Sequence, residues 1–139
     1  MERDYIRLNY WTSDRSLVVD YVFWDLGERG WRIYIISHID YQGRDCSSHA
    51  AHWLQDNDSS YPYICWNGNI ATLEQAKSVA SLWAECTARY IRSRQSFDDI
   101  ADQLKDQFSW EDDYYYQYTN RSFSNRIGIR TISDRNHAY

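Results

Sequence analysis

Between Thr72 and Ile91 the chain places Leu73, Ala76, Val79, Ala80, Trp83, Thr87, Tyr90 and Ile91 at intervals of three or four residues. That spacing lays one largely apolar stripe along a helix. Thr72 and Gln75 stand where a capping box requires them, the threonine hydroxyl accepting a backbone N–H and the glutamine accepting one in return. Arg89, Arg92 and Arg94 gather at the end of the stripe, where the helix dipole favours positive charge. Most of a helix's stability in a protein comes from packing its apolar face, so the rest of the chain must supply a second apolar surface.

The first third of the chain supplies it. Asp4 to Trp11 alternates, with Tyr5, Ile6, Leu8 and Tyr10 set among Arg7 and Asn9, and Thr12-Ser13-Asp14 marks a turn. Leu17 to Trp24 is a second β-rich run. Gly27-Glu28-Arg29-Gly30 reads as a hairpin loop, since its glycines accept positive φ. Trp31 to His38 is the most apolar run and suits the centre of a sheet. Asp40 to Ser48 is polar and reads as a loop. His49 to Gln55 is assigned as a strand, turning at Asp56-Asn57-Asp58 into Tyr61–Trp66, which ends at Asn67-Gly68-Asn69.

Ser96 caps a second helix, with Asp98 and Asp99 in its first turn and Phe97, Ile100, Ala101, Leu104 and Phe108 on its apolar side. Beyond it, Tyr114–Tyr118 and Arg126–Ile132 read as a hairpin. The expected fold is a single α+β domain over residues 1–139. An antiparallel sheet of about five strands is covered by two consecutive amphipathic helices, with a C-terminal hairpin.

Composition narrows what such a domain does. Seven Trp and thirteen Tyr raise the aromatic share to 17%, more than a core of this size needs, so some rings are expected at the surface and in contacts with partners. A net charge of −5 disfavours direct nucleic-acid binding, which draws its affinity from neutralised phosphates. No apolar run approaches the length of a membrane span. Three cysteines without a leader-like segment point to a cytoplasmic setting with free thiols. Cys65 and Cys86, in an expected strand and helix, read as buried and inert.

Catalytic and metal chemistry finds little support. Cys46, His49 and His52 form C-x2-H-x2-H, and His38, Cys65 or Asp45 would have to complete a zinc site. Two surface histidines near a loop cysteine account for the same pattern. A nucleophilic pair of Cys46 with His38 or His49 needs a base within hydrogen-bond reach, which spacing does not show. Asp56 and Asp58 sit in a turn, where aspartate caps its own backbone. No phosphate loop, G-x-S-x-G or H-E-x-x-H motif occurs. The expectation is a protein that is not an enzyme and uses no cofactor or metal.

The most distinctive local feature is acidic. Asp98, Asp102 and Asp106 recur at i, i+4 and i+8, a column of carboxylates that Glu111, Asp112 and Asp113 extend. A solvated helix face explains such a column without any partner. Tyr114, Tyr116 and Tyr118 follow and share one face of the expected strand. Acid beside tyrosine suits a basic, arginine-rich protein surface, such as that of a nucleic-acid-binding effector. Self-pairing through the same tyrosines would instead give a homo-oligomer of structural or immunity type. Arg126, Arg130 and Arg135 carry the opposite sign and could neutralise the column from within the chain.

In character, these acids and tyrosines resemble the small acidic inhibitors of phages and mobile elements, including anti-CRISPR proteins and DNA mimics. The resemblance rests on no motif. It implies a non-catalytic protein that blocks a nucleic-acid-binding enzyme, and it carries over no site residue.

Overall fold

The structure is a computed structural model that describes residues 5–57 and 59–105. Alternation builds its first part. Strand β1 (Tyr5–Trp11) pairs antiparallel with β2 (Val18–Asp25), from Tyr5 opposite Trp24 to Trp11 opposite Val18. A 3-10 turn over Gly27–Arg29 leads into β3 (Trp31–Ile35), again antiparallel to β2. Two short strands, β4 (Trp53–Leu54) and β5 (Tyr63–Ile64), complete a five-stranded antiparallel sheet in the order β1-β2-β3-β5-β4. β3 is the central strand, as its apolar content requires.

Helix α2 (Leu73–Arg92) lies on this sheet, contacting β1, β2 and β3. Its N-terminus is capped as the sequence predicts on one side only. Thr72 Oγ1 accepts from the Gln75 N–H at 3.1 Å, but Gln75 Oε1 accepts from the Ala71 N–H rather than that of Thr72. At the other end Arg44 donates to the carbonyls of Tyr90, Ser93 and Gln95 and lies over the Tyr90 ring at 3.8 Å. A residue far away in sequence thus satisfies the orphan acceptors of the helix end.

The expectation of a single buried stripe is corrected. Every residue from Ser78 to Ala88 is buried. Helix α3 (Phe97–Lys105) packs against α2 and covers part of what would otherwise be its wet side. Phe97, Ile100 and Leu104 are buried between them, the last two almost completely. The small and neutral residues Ala84, Ala88, Ser81 and Thr87 make this possible. Ser81 and Thr87 satisfy their hydroxyls on the carbonyls of Lys77 and Trp83, one turn back.

Tyr10, Val19, Tyr21, Phe23, Ile33 and Ile35 form the sheet's side of the core. The opposite face carries a ladder of rings. Tyr5 stacks on Trp24 at 5.2 Å, Trp24 meets Tyr34 edge-on at 6.3 Å, and Tyr34 meets Tyr63 edge-on at 5.9 Å. The expected surface tyrosines Tyr114, Tyr116 and Tyr118 lie outside the described residues, and each described Trp and Tyr is buried or half-buried. Ring-on-ring contact across four strands shields them.

The segment His49–Gln55 is also corrected. It opens as one helical turn, α1 (Ser48–Ala51), capped by Ser47, and only Trp53 and Leu54 are strand. The paired strand Tyr61–Trp66 shrinks likewise to Tyr63–Ile64. The N-cap serine and two alanines outweigh a β pattern that spans only a few residues. The C-terminal hairpin lies outside the described residues.

Candidate functional site

The short turn α1 ends abruptly. Its last amide hydrogen bond runs from the His52 N–H to the Ser48 carbonyl at 2.9 Å, with His52 itself left-handed at φ 61°. Glycine or asparagine usually takes that place, and a larger side chain there stores about 1 kcal/mol of strain or more. His52 is held by what its ring meets. The imidazole stacks on Phe97, with centroids 4.8 Å apart and planes 20° from parallel, and Nε2 lies 2.9 Å from Asp98 Oδ1. Phe97 and Asp98 open α3, where Ser96 Oγ accepts from the Asp99 N–H at 3.1 Å. The cap thus aims Phe97 inward and Asp98 across to His52.

Both partners of this bridge line a groove of about 480 Å³. Val79, Leu82, Trp83 and Cys86 of α2 form its floor. Phe97, Asp98 and Ala101 of α3 form one wall, and Ile64 with the loop Cys65–Asn67 forms the other. The Trp83 indole is fixed by donation to the Ala51 carbonyl at 3.1 Å, tying floor to α1. No lysine or arginine is among the lining residues. The volume falls within the range of about 300–1,000 Å³ typical of ligand pockets.

Of the acidic column, Asp98 and Asp102 are described, and both are exposed, as is Asp99. Asp98 pairs with a histidine rather than with an arginine. Three arginines are engaged elsewhere: Arg92 with Asp14, Arg32 with Asp56 at 2.7 Å, and Arg44 with the end of α2. Asp106, Glu111, Asp112, Asp113, Tyr114, Tyr116 and Tyr118, with Arg126, Arg130 and Arg135, lie outside the described residues.

The metal and thiol candidates do not assemble. His38, Cys46 and His49 are exposed, and the Cys46 carbonyl accepts from the Trp53 indole. Among the described residues no three of His, Cys, Asp and Glu converge in a metal-holding arrangement. Cys86 is buried as expected, but Cys65 is exposed, because β5 ends one residue before it. The Cys65 N–H donates to the His52 carbonyl at 3.1 Å. That places the two side by side, yet no hydrogen bond joins thiol to imidazole among the described residues.

A second feature escaped the sequence reading. Glu85, midway along α2, is 5% exposed. Its carboxylate accepts from Tyr10 Oη at 2.7 Å, from the Ser13 N–H at 2.8 Å and from Ser13 Oγ at 3.1 Å. It ties the β1–β2 turn to the helix.

The described residues thus define an α+β protein with an apolar groove rimmed by acid. No protein-family model, curated protein or solved structure matches the chain. Among the described residues, no helix is long and apolar enough to cross a membrane.

Proposed function

We propose that this protein is a non-catalytic binding module that engages a basic protein surface through α3, and that its target is a nucleic-acid-handling enzyme which it inhibits. The observation that carries this reading is the exposure of Asp98, Asp99 and Asp102 together on one short helix. Such a surface steers a cationic partner and speeds encounter more than it adds affinity. A cytoplasmic setting fits the three free cysteines.

The test uses the full chain and a variant with Asp98, Asp102 and Asp106 each replaced by Asn. Immobilised protein is exposed to nuclease-treated bacterial lysate, and association with the retained enzyme is then timed at several salt concentrations. The expected result is a basic nucleic-acid-binding enzyme held by the native chain, with association about tenfold slower and less salt-dependent for the variant. Retention that is indifferent to the three substitutions would overturn the reading.

A further inference from the structure

We infer that the groove beside α3 receives an aromatic side chain of the partner, flanked in its own sequence by arginine or lysine. The inference rests on the reading of α3 as the contact surface and names what that surface grips.

Three observations converge on this occupant. Trp83 and Phe97, both largely buried, are among the residues lining the floor and one wall, and an aromatic lining favours an incoming ring in edge-to-face or offset contact. Asp98 stands on the groove wall, and Asp102 lies one turn further along the same helix row. A side chain entering here brings its flanking residues within reach of both carboxylates. The lining carries no lysine or arginine, so a cation at the rim meets the attraction of Asp98 and Asp102. An acidic or neutral segment would find the same apolar floor but not the complementary rim. Anchoring by one buried ring with charged flanks is how compact interfaces concentrate their binding energy.

Ala101 is the smallest side chain in the lining. A phenylalanine there fills the groove while leaving the outward aspartates untouched.

The experiment titrates isotope-labelled full chain with the amidated tripeptides Arg-Trp-Arg, Ser-Trp-Ser and Arg-Ser-Arg, read by amide and indole NMR shifts. Arg-Trp-Arg is expected to move the signals of Cys65, Asn67 and Ala101 and the indole of Trp83. It should bind about tenfold more tightly than Ser-Trp-Ser. Arg-Ser-Arg should move only the amides around Asp98, Asp99 and Asp102. Ala101→Phe should remove the groove shifts of Arg-Trp-Arg and keep those of Arg-Ser-Arg, the spectrum itself showing that the variant is folded. Shifts confined to the aspartates for every peptide would overturn the groove's role and leave the reading of α3 standing. No shift in either region, a result also expected if the chain's own residues beyond Lys105 fill the groove, would overturn both.

Discussion

Tyr10 and Glu85 stand 75 positions apart, and the tyrosine hydroxyl donates to the glutamate carboxylate at 2.7 Å inside the protein. Two further donations from Ser13 complete the carboxylate's shell. A buried carboxylate is tolerated only when its lone pairs are met, and here neutral donors from the β1–β2 turn meet them. The charge therefore works as a clamp between the sheet's edge and the middle of α2.

Glu85→Gln keeps the shape but turns an amide NH2 toward donors that need an acceptor. It is expected to lower unfolding stability by about 2–3 kcal/mol, and Tyr10→Phe by about 1–2 kcal/mol. Combined in one chain they should cost less than their sum, because they share a partner. Urea unfolding of the three variants measures this. Additive losses would show that the two residues act separately.

Asp14 stabilises the same turn in a pH-dependent way. Burial by itself would raise its carboxyl. The Ser16 N–H and hydroxyl, the Thr12 hydroxyl and Arg92 outweigh burial and hold it below the ordinary 3.8. A group depressed on folding contributes fully above its unfolded value, and its contribution is lost as pH falls through the folded one. Asp14→Asn should therefore cost about 1 kcal/mol at pH 7, as befits an exposed network. In acid, once pH has fallen through the lowered folded value, its stability should converge with that of the native chain. Urea midpoints at neutral and acid pH check the sign.

Gly30 joins the 3-10 turn to β3 at φ 86°, with no room for a side chain. A Cβ there would lie 2.4 Å from both Asn69 Oδ1 and the Ile70 carbonyl oxygen, the latter accepting from the Trp31 N–H. Gly27, at φ 71°, has nothing within 4 Å of the same position. Gly27→Ala should lose about 1 kcal/mol through backbone strain alone, and Gly30→Ala at least about 3 kcal/mol through strain and collision. Thermal unfolding of the pair separates the two contributions.

The thiols offer a fourth measurement. Cys46 and Cys65 are exposed and Cys86 is buried. In native protein an aromatic disulfide reagent should titrate the first two at least about a hundredfold faster than the third, which opens with local or global unfolding. Cys65→Ser should halve the fast phase and leave the slow one unchanged. A fast third thiol would mean that the floor of the groove opens readily.

Periodicity made the skeleton readable before any coordinates. The alternation of Tyr5–Trp11 and Val18–Asp25, the glycine-bounded turn and the spaced apolar residues of Leu73–Arg92 each repeat over enough positions to outweigh local competition. Where the repeat was short, it misled. His49–Gln55 offers too few residues for a strand pattern to prevail over a serine cap and two alanines. The exposure of Cys65 depended on where β5 stops, which hydrogen bonding across the sheet decides.

The chain's own order of residues determined the α+β class, the central place of β3 and the acidic rows of α3, because these follow from contacts within a few positions. Only the folded arrangement decided that α2 is buried almost all round, that Glu85 clamps a distant turn, and that His52 meets Phe97 and Asp98 at the lining of a groove. The last two relationships join residues 45 to 75 positions apart, and no periodic signal along a chain encodes which distant surfaces will meet. Burial and complementary donors select them once the sheet and helices come together.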